Sequence, residues 1–296
     1  RQLNHAVSIV GARDNLQILV QELTASAPDV VFNLTEQFRL DRRLDTNVAA
    51  MLELMGVPFT GAGAAGLLLA RDKSLSKQVL GYHRIRVPGF TTFRPGQRIS
   101  IPKALRYPLV VKPAFTDGSE GISNASLVTQ QEGLHERVRF VHEHWKQTAI
   151  VEEFIEGREL YVGVLGRTRL TVLPGREIYF NNRGGQGPVL ATYRVKWDDA
   201  YREKWQIRFG NAELDDSTLA RISHVCKKVY RLMQLRDYGR IDLRITPEGR
   251  ILIIEVNPNP DIAYGEEVAE SAENAGISYS ALISRIVNAA VKRGPA

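Results

Sequence analysis

Apolar and polar positions alternate from Ile241 to Ile245, and apolar side chains then run from Ile251 to Val256, with Thr246-Pro-Glu-Gly249 between them. That pattern predicts two strands around a tight turn. Pro at the second position and Gly at the fourth suit a type I turn, and a four-residue loop of this kind pairs Ile245 with Arg250. Counting outward sets Asp242 opposite Ile253 and Arg240 opposite Glu255. Side chains alternate faces along a strand, so Arg240, Asp242, Glu255 and Asn257 are expected on one face. A slip of one residue would send the two carboxylates to opposite faces.

The same periodicities order the rest of the chain. Short strands are expected at 6–10 and 29–33, with a helical pattern through Leu16, Leu19, Val20 and Leu23 and another at 44–55, stopped by Gly56 and Pro58. Strands alternating with helices make roughly the first 70 residues an α/β unit with a parallel sheet. Asp72-Lys-Ser-Leu-Ser-Lys77 opens a helix that ends near Gly81. Strands are expected at 107–113, 149–155 and 158–165, a polar helix at 131–147, and helices at 215–233 and 279–291. Asn181-Asn-Arg-Gly-Gly-Gln-Gly-Pro188 is expected to be a mobile loop.

Composition narrows the class without naming a chemistry. A chain of 296 residues has room for two or three domains, and 44% hydrophobic with 24% charged residues describes an ordinary globular protein. The formal charge of +6 comes without long Lys/Arg blocks or interleaved aromatic and basic residues, which argues against a nucleic-acid partner. No apolar run approaches the ~20 residues that span a bilayer, and there is no signal-peptide pattern. The chain begins at Arg1, not Met, so a native segment ahead of it is allowed for. The single cysteine, Cys226, excludes internal disulfides, fits a reducing, cytoplasmic setting, and lies in an amphipathic helical pattern as a buried thiol.

Chemistry concentrates in the hairpin and in one loop. Two carboxylates, an amide oxygen and a guanidinium on one face suit magnesium carrying nucleotide phosphates. The competing reading, a salt-bridged hairpin with a solvated face, is disfavoured because a carboxylate and an amide end an otherwise apolar run. Upstream, a strand delivers Lys112 to Ala114-Phe-Thr-Asp-Gly-Ser-Glu-Gly-Ile122, where small residues let backbone N–H groups close around a phosphate. Glu120 is the discordant charge in that loop. His142 and His144 are two apart and point away from each other on a helix, unlike a zinc pair.

Taken in order, Asp72-Lys73, Val111-Lys-Pro113, Asp117-Gly-Ser-Glu-Gly-Ile122, Glu152-Glu-Phe-Ile-Glu-Gly-Arg-Glu159, Tyr193-Arg-Val-Lys-Trp197, Gly239-Arg-Ile-Asp242 and Glu255-Val-Asn-Pro-Asn-Pro260 resemble the ATP-grasp superfamily, and within it the D-alanine–D-alanine ligase-like proteins. The resemblance implies an ATP-grasp fold of mixed α/β and α+β class. Its parts would be an N-terminal α/β domain over 1–70, a central subdomain over 71–152, and a C-terminal subdomain over 153–296 with the metal and catalytic site. It implies ATP with Mg2+, or Mn2+ in its place, and a carboxylate activated as an acyl phosphate that an amine attacks. By position, Lys73 and Lys112 would hold phosphates and Lys196 would meet the γ-phosphate. The loop around Gly118, Ser119 and Gly121 would close over the transferring group. Glu152 and the backbone of Ile155 would read the adenine edge, Glu159 the ribose hydroxyls, and Ile254 would floor the base. Asp242, Glu255 and Asn257 match the metal ligands, and Arg240 the arginine beside the reacting carbonyl. A homodimer acting on small carboxylate and amine substrates is the expected assembly.

Departures from the family limit the carry-over. Its glycine-rich first loop has no counterpart, and Asn33-Leu-Thr-Glu-Gln-Phe-Arg39 stands where glycines and acids are usual. Asp261 replaces a glycine, and Glu266-Glu267 replace the Ser-Leu pair that docks the second alanine's carboxylate. The nucleotide site is therefore expected to carry over, while D-alanine is not expected as the acceptor. Acids in the acceptor pocket would favour a cationic amine, an amino sugar or a basic amino acid. The plainer account has Glu266 and Glu267 simply opening a helix. An inactive ATP-binding regulatory module is the alternative function, and retention of Arg240, Lys196 and the metal ligands argues against it.

Overall fold

In the computed structural model, residues 3–181, 187 and 189–294 are described. Positions 182–186 and 188 of the expected mobile loop lie outside them. Two of the helices at the N-terminal end, α1 and α4, begin where a short polar side chain caps them. Asn15 accepts from the Gln17 amide at the start of α1 (Leu16–Ser26), and α2 (Asp45–Leu54) and α3 (Ala64–Arg71) follow. Asp72 caps α4 (Lys73–Tyr82) through the amides of Ser74 and Leu75. The parallel sheet expected here is reduced, among the described residues, to one bridge between Val31 and Phe59. Residues 6–10 form no strand. Among the described residues no strand pairs with them, and although Val10 packs on the main core, Ile9 is 95% exposed.

The next stretch builds an antiparallel sheet from β1 (Phe90–Phe93), β2 (Leu109–Pro113), β3 (Leu127–Val128) and β4 (Ala149–Glu153), in the order β1-β4-β2-β3. Helix α5 (Gln131–Phe140) buries Leu134 and Val138 in the same core as Leu109 and Val111 of the sheet. Its last turn continues as a π-helical turn over Val141–Trp145, shorter than the expected helix. As expected, His142 and His144 diverge: His142 meets the Phe93 carbonyl at 2.8 Å and His144 stacks on Phe140.

The C-terminal half is a second antiparallel sheet. It contains β5 (Arg158–Gly166), β6 (Thr171–Val172), β7 (Arg176–Tyr179), β8 (Arg208–Asn211), β9 (Asp237–Ile245) and β10 (Ile251–Asn257). The order is β10-β9-β5-β7-β8, with β6 on β5. Helices α6 (Tyr193–Trp197) and α7 (Asp199–Trp205) precede β8, α8 (Asp216–Leu232) precedes β9, and α9 (Glu267–Asn274) and α10 (Tyr279–Arg293) close the chain. One apolar core joins Leu80 of α4, Cys226 and Val229 of α8, Leu160 and Val162 of β5, and Leu243 of β9. Burial raises the Cys226 thiol well above its ordinary value, as an inert structural cysteine requires. No helix among the described residues is long and apolar enough to cross a membrane.

The organising hairpin reaches its expected arrangement by a route the residue pattern did not show. Gly249 donates to the Thr246 carbonyl at 2.8 Å, closing the turn, and then takes a positive φ of 75°. Thr246 receives the next strand through the Arg250 carbonyl, and Ile245 pairs with Ile251, not Arg250. This is a type I turn followed by a glycine bulge. Unrelieved, the one-residue slip would turn Glu255 and Asn257 onto the apolar face. A second irregularity, at Ile254, shifts the ladder again, so that Glu255 faces Asp242 and Asn257 faces Arg240. The two slips of one residue add to a register shift of two, which restores the face, and all four polar groups share it.

Gly157 fixes the turn from the first sheet into the second. Its φ of 133° is open only to glycine, and a Cβ there would lie 2.0 Å from the Ile245 carbonyl oxygen. Gly157→Ala should therefore cost about 3 kcal/mol or more in denaturant unfolding, since both strain and a backbone clash oppose it.

Candidate active site

Every residue of β9 is buried, yet three of its even-numbered positions, Arg240, Asp242 and Arg244, are charged. Odd positions such as Ile241 and Leu243 enter the apolar core, so the even ones share the opposite face with Glu159 and Tyr161 of β5. Glu255 and Asn257 of β10 complete it. Facing them is a wall made by Lys112 of β2, Glu152 of β4, and Lys73 and Lys77 of α4. The cleft between is lined by Lys112, Ser119, Glu152, Ile155, Glu159, Lys196, Asp242, Ile254 and Glu255 among others, and encloses about 70 Å³.

Its charges are paired within each wall and, through Lys73 and Glu255, across the cleft. Lys112 Nζ lies 2.7 Å and Lys77 Nζ 3.2 Å from the two oxygens of Glu152, with all three side chains buried. Burial would raise the Glu152 carboxyl, but the two ammonium groups hold it below the usual range. Burial also lowers Lys77, against the pull of Glu152, and its ammonium donates to the Ile254 carbonyl. Lys73 reaches Glu255 at 3.0 Å and donates to the Thr116 carbonyl. That pairing outweighs burial for both: Lys73 is raised, and Glu255 is pushed down to about 2.

Asp242 and Arg240 form a fork, with Nε to Oδ1 at 2.8 Å and Nη2 to Oδ2 at 3.0 Å. A third arm runs from Arg240 Nη1 to Glu267 Oε2 at 3.3 Å. Burial, aided by Glu255, lifts the Asp242 carboxyl despite Arg240. Glu267 opens α9 and also turns its carboxylate to Arg240, which holds it low against burial. Lys196, on a helix capped by Thr192, sits 5.0 Å from the Tyr161 ring centroid.

The small loop is fastened from several sides. Gly118, Ser119 and Gly121 all take positive φ (62°, 63° and 74°). Trp197 Nε1 donates to the Gly118 carbonyl at 3.0 Å, and the Tyr193 amide to Ile122 at 3.1 Å. Glu120 is turned away from the loop's interior to Arg42 at 3.0 Å, which removes the objection to an anion there. Asp117 pairs with Arg71, which also holds the buried Asp45.

Two expectations meet different partners. Glu152 was expected to face the adenine edge, and its carboxylate is engaged by Lys77 and Lys112. The Ile155 carbonyl and the Glu159 carboxylate both accept from Arg244. Lys77 and Arg244 are the residues that the sequence reading missed. Each had a signal: Lys77 is four residues from Lys73 on one helix face, and Arg244 continues the alternation of Arg240 and Asp242.

The donors fit a hard divalent cation. Asp242, buried, and Glu255, half-buried, are a cross-strand pair of anions, each drawing a cationic side chain, and Asn257 Oδ1 is oriented by accepting from the Asn259 amide at 3.0 Å. Among the described residues no group of three or more His, Cys, Asp and Glu side chains could hold a metal ion.

Two antiparallel sheets gripping a cleft of lysines and carboxylates define an ATP-grasp protein. The family described as D-ala D-ala ligase C-terminus matches residues 78–288, more than half of the chain. The D-alanine–D-alanine ligase of Nitratidesulfovibrio vulgaris (strain DP4) is 32% identical over 82% of this chain and 75% of its own length. An uncharacterised protein of Sinorhizobium fredii, y4sG, is 33% identical over 91% of this chain and 76% of its own. Among solved structures, the Bacillus anthracis D-alanine–D-alanine ligase complexed with ATP has a TM-score of 0.75 at 22% identity, covering 94% of this chain and 84% of that one. The Enterococcus faecalis VanG D-Ala:D-Ser ligase has a TM-score of 0.72 at 24% identity, covering 88% and 73%. The chain belongs to the D-alanine–D-alanine ligase family and is an ATP-dependent ligase.

Proposed function

We propose that the protein joins a small carboxylate to an amine through an acyl phosphate, with Mg-ATP as phosphoryl donor and an acceptor other than D-alanine. The observation that carries the chemistry is a cleft with Lys73 and Lys112 on one wall and the carboxylates of Asp242 and Glu255 on the other, bridged by the Lys73–Glu255 pair. Phosphoryl transfer leaves little covalent work to protein, so cations that offset charge and hold an in-line approach are what it requires. Magnesium at Asp242, Glu255 and Asn257 would neutralise phosphate charge. Lys73 and Lys112 hold the phosphates, Lys196 meets the γ-phosphate, and the loop at Gly118, Ser119 and Gly121 excludes water. The Ile155 carbonyl reads the adenine edge, Glu159 holds the ribose, and Ile254 floors the base.

In the first step the carboxylate oxygen bonds to the γ-phosphorus and the bond to the β,γ-bridging oxygen breaks, releasing ADP. In the second, the amine nitrogen bonds to the acyl carbon, the resulting oxyanion lies against Arg240, and its collapse expels phosphate while nitrogen loses a proton. Arg240 is always charged, which suits that position better than lysine.

The acceptor proposal rests on the third arm of Arg240. Glu267 sets a carboxylate beside this guanidinium, and that anion would repel an acceptor carboxylate. A cationic amine, an amino sugar or a basic amino acid fits better. We further propose a homodimer in a reducing cytoplasm, in keeping with the single buried cysteine. The test is ADP and phosphate release from the purified protein against panels of carboxylates and amines. Turnover is expected with basic acceptors. Efficient synthesis of D-alanyl-D-alanine would overturn the acceptor assignment, and no release with any pair would return the inactive ATP-binding module.

A further inference from the structure

One side chain already engages the groups assigned to the base and the sugar. Arg244, 5% exposed, donates from Nε and Nη2 to Glu159 Oε2 at 3.0 and 2.6 Å. Its Nη1 donates to the Ile155 carbonyl, and Nη2 also reaches the Val189 carbonyl at 3.0 Å. The other Glu159 oxygen accepts from the Tyr161 hydroxyl at 3.0 Å. The guanidinium lies 4.8 Å from the Phe154 ring centroid. Its three hydrogen-bonded partners belong to three segments: the chain just after β4, β5 itself, and the stretch before α6. Arg244 therefore ties the walls of the cleft together as well as occupying its acceptors.

A guanidinium carries five N–H donors and no acceptor. It competes directly with ribose hydroxyls and an exocyclic amine, which must donate to the same oxygens. The 70 Å³ enclosed by the cleft is well below the roughly 300 Å³ at the low end for small-molecule sites. The phosphate end is different, since Lys73 and Lys112 lie on the opposite wall and Arg244 makes no contact with either.

We propose that Arg244 is a latch on the nucleotide pocket: it holds the base and ribose acceptors in the free protein, and ATP binds by displacing it. This rests on the ligase reading of the cleft. The affinity of the adenosine half is then reduced by the fraction of molecules in which the latch is open, while the triphosphate half is not so reduced. Removing the guanidinium leaves the Glu159 carboxylate in need of donors that the ribose supplies.

The test is calorimetric titration of the full chain and its Arg244→Met and Arg244→Lys variants with Mg-ATP, adenosine and Mg-tripolyphosphate. Arg244→Met should bind ATP and adenosine about tenfold or more tightly than the wild type, because breaking a buried ion pair no longer opposes entry. Tripolyphosphate affinity should stay within about twofold, because its lysines are untouched. Arg244→Lys should fall between, since one ammonium cannot span both acceptors. Unchanged or weaker adenosine binding by Arg244→Met overturns the latch. If that variant does not fold by circular dichroism, Arg244→Lys decides on the same criterion. A failure of the ligase reading looks different: neither Mg-ATP nor tripolyphosphate binds any of the proteins, and the latch falls with it.

Discussion

Asp242→Asn is expected to lower turnover by on the order of 10²- to 10³-fold, with the fold intact, because it removes one of the two anions proposed to hold the metal without changing the side chain's shape. Two effects add. The proposed cation would lose an anionic ligand, and Arg240 loses its bidentate partner, so the aim proposed for it at the reacting carbonyl would loosen. Stability should hold, because Arg240 keeps Glu267 and because the mutation relieves the repulsion between Asp242 and Glu255. ADP release and thermal unfolding, measured on the same preparation, check both parts. Activity within about threefold of wild type at equal stability would remove Asp242 from the metal site.

The second large effect concerns stability. Glu152 is the one carboxylate between two buried ammonium groups, Lys77 and Lys112. Glu152→Gln keeps the shape and removes the charge, leaving both lysines without that anion, and should cost about 3–5 kcal/mol at neutral pH. The acid response gives an independent readout. Glu152 is held below its unfolded value, so its contribution is fully present above the ordinary glutamate range and is lost as pH falls through the lowered value. The wild type should lose stability across that window more steeply than Glu152→Gln. Denaturant unfolding at a series of pH values tests this, and a loss under about 1 kcal/mol at neutral pH would show that water, not Glu152, compensates the lysines.

How much of this was legible in the residues depended on whether one strand or two had to agree. The polar face of β9 follows from alternation alone, and so did the shared side of Glu255 and Asn257, but the pairing behind it did not. The glycine bulge at Gly249 and the irregularity at Ile254 moved the partner of Asp242 from Ile253 to Glu255. The lysines of α4 were half legible: Lys73 came from a resemblance, whereas Lys77 needed only helical spacing. Who pairs with whom was not legible at all. Nothing along the chain says that Arg244 meets the Ile155 carbonyl across 89 positions, or that Glu120 turns out to Arg42 across 78. At the N-terminal end, alternation at 6–10 promised a strand, but a strand also requires a neighbour.

The fastenings of the loop over 117–122 differ in one respect with a consequence for the medium. Arg42 and Glu120 keep about a third of their side-chain surface open, 27% and 30%, whereas Arg71 keeps 6%. Ordinary salt screens the first tie and hardly reaches the second. Ionic strength alone would loosen the Glu120 edge while the Asp117 edge stays fixed, giving the loop a hinge whose axis is chosen by buried charge and whose stiffness is set by the solution around it.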